Sequence, residues 1–494
     1  MNIRIRFLQL VAFLPMVIHA QYEDLDYKGW KNAGIDGIVW PVYTEKTLHC
    51  DAPDCTDALQ TLIDESSHPL IVNIPRGTFV FKSAINLPSN TVIRGAGSQH
   101  TKVIFDVPEN SHGFTASAPV RSNQRLALDG RPTVGDSVLT FRSPNAVKVG
   151  DHLRMIYDDR PLMTRPWGRH TSGQLIRVAR VNGNVVVVDA PFRLPYSSHL
   201  DTHVEQLHPV ENVGIEHVHI VRRSKSDQQV NNIFFRGVYR GYVYGVRSDS
   251  CHYAHVDART CRFIHVEKSH FNDAHNYGEG GKAYGVMLQM GTCDSRVTDN
   301  SFSHLRHAMI LQAGANGNVF SFNYSTEVRA SRNLFGMDFD HTLSGDMVVH
   351  GNYPYANLFE ANRAHMGIMD NAHGRNGRGN TFYRNHVAPN GITITNPATL
   401  ECVFIENYAE GLSFFLGARH RREGNSFDFR GEPRPLEQVE SLGTDVFPKG
   451  ITIDVLRAIG NGSPNNTPLP AQIRYDNNTF TVPTGTLLIH SEDD

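Results

Sequence analysis

The chain has 494 residues, 40% of them hydrophobic and 20% charged. That is enough apolar material for two or three average domains or one long solenoid, and too much for a disordered protein. The formal net charge is −3 and the pI about 6.8, so no global attraction to nucleic acid or to an anionic membrane is expected.

The first residues read as an export signal. Arg4 and Arg6 precede the largely apolar run Phe7 to Ile18, which is too short to span a bilayer comfortably. Ala20 is the expected cleavage residue. Residues 1–20 are therefore assigned to a signal peptide, and the mature chain is expected to be secreted or periplasmic. Six cysteines fit that compartment. Cys50 and Cys55 enclose a short loop and are placed to pair. Cys251, Cys261, Cys293 and Cys402 allow three pairings or, equally, four thiols buried inside the fold. No Cys-x-x-Cys spacing occurs, so no zinc site is expected.

Between Cys55 and Ser67, the residues Ala58, Leu59, Leu62 and Ile63 recur at a helical period, with Thr56 as candidate cap. A short helix there would cover the open end of a solenoid. Short β-branched runs follow, divided by Pro and Gly: Leu70 to Phe81, Ala84 to Gly97 and Thr101 to Phe105. The Gly95-Ala-Gly97 turn lacks the helix and the Lys-Ser/Thr of a phosphate loop. The block resembles the opening coils of the pectate-lyase-like superfamily of right-handed β-helix proteins, through Pro75, Gly77, Phe79, Leu87, Pro88, Asn90, Ile93, Gly95 and Gly97. The resemblance implies an all-β, right-handed parallel β-helix and a polysaccharide or oligosaccharide as partner. It covers roughly residues 68 to 415.

Four regions are expected after the signal peptide: a cap and first coils over 21–114, a β-rich insertion over 115–205, the main coils over 206–424 and a Pro-rich capping segment over 425–494. The insertion breaks the coil rhythm with antiparallel-looking strands and a hairpin signal at Asn182-Gly183. Its longest loop carries Arg160, Arg165, Trp167, Arg169 and His170, either to grip substrate or as an ordinary solvated loop.

The main coils repeat. Units ending in Asn300, Asn323, Asn362, Asn385 and Asn407 step by 323 − 300 = 23, 362 − 323 = 39, 385 − 362 = 23 and 407 − 385 = 22 residues. A period near 22 split by Gly and Asn turns suits one β-helix coil, and the stepping asparagines read as a structural ladder. The long step is one coil with an outgrowth, Gly336 to Asp346, bearing Asp338, Asp340, His341 and Asp346.

A second strand aligns in each coil and ends in one polar residue: Gln289, Gln312, His350, Asp370 and Asn396. Equivalent positions of stacked coils lie about 4.8 Å apart, so these should form a column in which His350 and Asp370 replace amides by titratable groups. Around it the sequence gathers Lys282, Tyr284, Arg306, His307, Tyr353, Arg363, His365, His373 and Arg375. Two chemistries fit a secreted enzyme that cleaves a polysaccharide, and elimination is the preferred one. A lyase acting on a uronic-acid polymer needs a cation on the carboxylate, a base and an acid; His350 or His307 is the candidate base, Arg306 or Arg363 the clamp and Tyr353 the acid. His365, Arg375, Lys282, Gln289 and Gln312 would bind sugar. A glycosidase or glycan transferase needs two carboxyls flanking the bond, which Asp338, Asp340, Asp346 and Asp370 would supply. A non-catalytic glycan-binding β-helix is the third reading. His350-Gly351 is the one fragment in common with the pectin hydrolases' motif set, and the Arg-x-Pro-x-x-Arg motif of calcium-dependent pectate lyases is missing. The Asp cluster also offers oxygen ligands suited to Ca²⁺, without the Asp-x-Asp-x-Asp-Gly pattern. No other cofactor is expected.

Overall fold

The computed structural model describes residues 29–122, 125–144, 146–194, 202–278, 280–329, 345–370, 372–411, 413–423, 425 and 468–477. Short β-branched runs, each too brief to bury a face alone, stack in parallel register as the coils of a right-handed β-helix. Three long sheets run the length of the solenoid, with 12, 10 and 10 strands. One coil passes from the first sheet (Arg296–Thr298) to the second (Ser301–Ser303) and then the third (His307–Leu311).

One core cluster runs through the coils from Leu48 to Ala409. Phe320, Phe359, Phe382 and Phe404 stack in it with centroids 5.3, 4.9 and 5.4 Å apart, each pair adding about 1 kcal/mol beyond its burial. The expected asparagine ladder lies at the turn from the first to the second sheet. Asn323 accepts the Asn300 backbone N–H at 3.0 Å and donates to the Val297 carbonyl and to Asn362 Oδ1, both at 2.9 Å. The pattern continues through Asn385 and Asn407 to Asn425. A second ladder, Asn318–Asn357–Asn380, satisfies the turn entering the first sheet, with 3.0 Å bonds.

Several expectations shift. The N-terminal helix spans Thr56–Asp64, but Thr56 does not cap it. Thr56 is already the first helical residue and the N-cap position is Cys55, without a side-chain cap bond; Asp54 just before it accepts the Thr56 amide at 3.0 Å and its hydroxyl at 2.6 Å. Of the opening motif's glycines, Gly95 is there for packing, since a Cβ on it would lie 2.3 Å from the His217 carbonyl of the next coil, whereas Gly77 and Gly97 take φ of +144° and +116°. Cys50 and Cys55 are bonded, and the other four cysteines are buried free thiols. The signal peptide and most of 425–494 lie outside the described residues; helix Pro470–Asp476 sits on the solenoid through Arg474 and Asp299, 2.9 Å apart. Among the described residues no helix is long and apolar enough to cross a membrane.

The insertion starts later than position 115. Phe114–Ser117 pairs in parallel with Ile233–Arg236 and is a coil strand. A six-stranded antiparallel sheet follows, from Arg125–Leu126 to His203–Leu207. Its hairpin turns at Gly183, φ +62°, between Asn182 and Val185. A buried charge network fastens it to the coils. Arg193 pairs with Asp294, Arg262 reaches Asp294 at 2.7 Å and Asp189 at 2.8 Å, and Arg193 also donates to Asn316 Oδ1 at 2.8 Å. Breaking such a pair strands a buried charge. The backbone comes close as well, since a Cβ on Gly314 would lie 2.2 Å from the Thr171 carbonyl.

Two outcomes follow from this architecture. Asn323→Ala orphans the buried Asn300 amide and Val297 carbonyl and should cost about 2–4 kcal/mol, read as a lower denaturant midpoint; an unchanged midpoint would contradict the ladder. Burial also lowers the histidines held in the coils, His255 and His386 to about 4 and His270 and His307 to about 3. Unfolded, they would titrate at about 6.5, so between these values the unfolded chain binds more protons. Stability is then fully present above about pH 6.5 and falls as pH drops toward 4. The melting temperature should decline through that window, and a flat profile would contradict neutral burial.

Candidate functional site

A cleft of about 760 Å³ lies on the outer face of the third sheet. Its lining includes Arg259, Gln289, Gln312 and His350 from strand ends, Tyr253, Tyr284 and Arg306 from strand starts and the turns before them, and Trp167 from the insertion. Gly280 and Gly281 border it from the turn that precedes strand Tyr284–Gln289.

The expected column forms, with one change at each end. Register places Arg259 beside Gln289. The pairing Leu288–Leu311–Val349–Met369–Ile394 then puts Gln289, Gln312, His350, Asp370 and Thr395 in one file. Asn396 lies one residue past it and instead accepts the Ala398 amide at 2.9 Å, shaping the turn. The amides are bonded in sequence: Gln312 Nε2 donates to Gln289 Oε1 at 2.7 Å, and Gln289 Nε2 to Asp257 Oδ1 at 2.7 Å. Asp257 also pairs with Arg259 at 2.7 Å.

His350 Nδ1 hydrogen-bonds Asp370 Oδ2, and Asp370 Oδ1 accepts the Ala372 amide at 3.0 Å. Burial pushes the Asp370 carboxyl up, but the His350 charge and hydrogen bond outweigh it and hold the group below its usual range. An ionised carboxylate only accepts, so Nδ1 is the donor in this bond, and in the singly protonated ring Nε2 is the nitrogen that carries the lone pair. Gly351, φ +70°, permits this arrangement, because a Cβ there would meet the His373 carbonyl carbon at 2.8 Å.

A row of rings crosses the file obliquely at His350. Tyr284 stacks on His307 at 5.2 Å, His307 lies 5.9 Å from His350, His350 4.7 Å from His373 and His373 5.2 Å from Trp167. Trp167 is 42% exposed. Its loop is shaped by Asp159, which accepts the amides of His170, Thr171 and Ser172 at 2.6, 2.8 and 2.9 Å. Of the flagged loop residues, Trp167 lines the cleft, while Arg160 turns back onto Asp158.

The remaining candidates divide. His307 is at the site, but burial, then Arg306 and His350, bring it down to about 3, and its Nδ1 is 2.6 Å from the Gly345 carbonyl. Such a ring holds a proton too weakly for a base. Tyr353 is not at the cleft. Its backbone N–H bonds the Arg375 carbonyl at 3.0 Å, and its ring packs against the insertion's core with the Arg375 guanidinium carbon 5.5 Å from its centroid. Arg363 lies on the second sheet and donates to Gln472 at 2.7 Å. His365 lies 3.7 Å from Asp346, and Lys282 is 4.0 Å from Asp227. Asp346 accepts the His365 and Met366 amides at 2.9 and 3.0 Å, so both its oxygens are engaged by backbone. Asp338 and Asp340 lie outside the described residues. Among the described residues no three His, Cys, Asp or Glu side chains are grouped to hold a metal ion. Arg259, Asp257 and Tyr253 were not foreseen; the signal was present in strand Ala254–Arg259, which precedes Tyr284–Gln289 by one coil.

No family model matches the chain, and no curated protein does. Solved structures do. The tailspike protein gp49 of Pseudomonas phage LKA1 matches at 18% identity over 72% of this chain and 56% of its own, with a TM-score of 0.52. The tailspike gp61 of Pseudomonas phage phi297 matches at 15% identity over 74% and 59%, with a TM-score of 0.53. The match thus spans less than two thirds of either tailspike, and at these identities it establishes that this chain shares their right-handed β-helix fold.

Proposed function

We propose that the chain is an exported carbohydrate-active enzyme that holds an acidic polysaccharide in the cleft and cuts it by β-elimination. The observation that carries this reading is the His350–Asp370 pair, an imidazole that lines the cleft and a carboxylate that takes its Nδ1–H, so that Nε2 is the acceptor nitrogen of the singly protonated ring. In the proposed reaction Arg306 draws charge from the uronate carboxylate. His350 Nε2 removes the proton on the adjacent carbon, the C–O bond to the leaving sugar breaks as the C=C bond forms, and the leaving oxygen takes a proton from the Tyr284 phenol. Burial raises the Tyr284 pKa, keeping that phenol protonated. Trp167 supplies a flat apolar wall for a sugar ring. The opening-coil motif from Pro75 to Gly97 supports a place in the pectate-lyase-like superfamily. The leader-like first residues and the Cys50–Cys55 bond support export.

Among the described residues, hydrolysis with two carboxyls is less well served. Asp257 and Asp370 sit four coils apart, roughly 19 Å at 4.8 Å per coil, against the roughly 5–9.5 Å such a mechanism requires.

Digestion of uronate polymers should release unsaturated ends absorbing at about 230 nm; reducing ends without that absorbance would overturn elimination. His350→Ala should lower kcat about 10³-fold and Asp370→Asn about 10²-fold through loss of the tautomer. Tyr353→Phe should stay within about twofold, because its ring packs on the insertion's core away from the cleft and only a hydroxyl is lost. Trp167→Ala should raise KM about fivefold. A Tyr353→Phe variant as inactive as His350→Ala would place the chemistry elsewhere.

A further inference from the structure

The glutamine file has a direction, and that direction is imposed from one end. Asp257 is fully buried and pairs with Arg259 at 2.7 Å. A carboxylate accepts and cannot donate, so the Gln289 group 2.7 Å from Asp257 Oδ1 must be its NH₂. Gln289 Nε2 also lies 3.4 Å from the Tyr253 hydroxyl. Gln289 Oε1 is then turned toward Gln312 and takes that residue's NH₂ at 2.7 Å. The chain ends on Gln312 Oε1, at the file position next to His350. From the other end Asp370 fixes His350 in the same way, taking the Nδ1–H and making Nε2 the acceptor of the singly protonated ring. Two carboxylates at opposite ends therefore leave acceptors in adjacent coils at the middle, about 4.8 Å apart by backbone spacing.

We infer that Asp257 is a positioning residue that sets the polarity of the Gln289–Gln312 amides, so that Gln312 Oε1 selects a sugar with a free hydroxyl beside the reacting carbon. The inference rests on the acidic-glycan reading above and adds the substrate feature that reading leaves open. A hydroxyl donates to that oxygen, whereas an O-acetyl or O-methyl group offers nothing to donate and leaves a buried acceptor unpaired. Strand Ala254–Arg259 thus acts on the reaction from two coils before Gln312, without touching the reacting atoms.

The test uses the full chain with polygalacturonate, alginate and hyaluronate, each as prepared and after chemical O-acetylation. Rates are followed by unsaturated-product absorbance and binding by affinity electrophoresis. Wild type should prefer the free-hydroxyl form about tenfold in kcat/KM. In Gln289→Met, which breaks the relay but leaves the Asp257–Arg259 pair, and in Asp257→Asn, the preference should shrink to within about threefold, mainly through KM. A purely structural role, or simple steric exclusion of the acetyl group, would slow both forms alike and keep the ratio near tenfold, overturning the inference. So would a wild type that cuts both forms equally. Retention of a polymer without cutting would overturn elimination alone, and the same ratio would then be read from retention. A wild type that neither retains nor cuts any of the six preparations would overturn both.

Discussion

Parallel stacking at one coil per strand spacing is the constraint from which the site follows. It places every residue of one coil position about 4.8 Å from its equivalent in the next, so whatever sits at that position becomes a row. An asparagine in the row must satisfy its neighbour's amide, and it does so at both turns bordering the first sheet. A phenylalanine stacks on the next phenylalanine. A glutamine hydrogen-bonds the next glutamine. The rows differ in what stops them. The asparagine row is uniform from Asn300 to Asn425, whereas the glutamine row meets a carboxylate at each end. A polar row closed on itself is scaffold, and a row that ends in titratable groups at a cleft is the candidate place for the proposed chemistry.

The insertion converts that row into a walled cleft. It is covalently close to the early coils but packs against later ones, through Arg193 on Asp294 and through backbone contact at Gly314. That docking brings Trp167 onto His373 and completes the ring row begun by Tyr284. The buried Arg193–Asp294–Arg262–Asp189 network is weak evidence for added stability, since desolvation offsets its attraction. Its consequence is a fixed position for the loop, and Asp159 fixes the loop's shape from inside.

Much of this was legible in the sequence, because periodicity survives as spacing. The 22- and 23-residue steps gave the coil, and the replacement of Gln by His350 and Asp370 within an aligned strand gave the bonded pair at the centre of the candidate site. Proximity in sequence misled where the chain turns. Arg363 and Tyr353 flank that centre in sequence, yet one belongs to the second sheet and the other to a turn facing the insertion, because a β-helix sends each third of a coil toward a different side. Asn396 was misplaced by a single residue, enough to move it from strand to turn. Asp257 and Arg259 were missed because their strand ends in Arg rather than an amide, so the file seemed to begin one coil later. The Trp167 loop reads in sequence either as a substrate grip or as a solvated loop, with no hint of its partner His373, since docking between distant segments leaves no periodic trace.

The most direct test is the structure of His350→Ala crystals soaked with an acidic oligosaccharide from whichever uronate polymer the chain retains best. If the cleft is the site, ordered sugar should lie along the Gln289–Gln312 file, with a ring against Trp167, a carboxylate at Arg306 and the reacting carbon facing the vacated imidazole position. Ordered sugar on the outer face of another sheet, with the cleft empty, would contradict it.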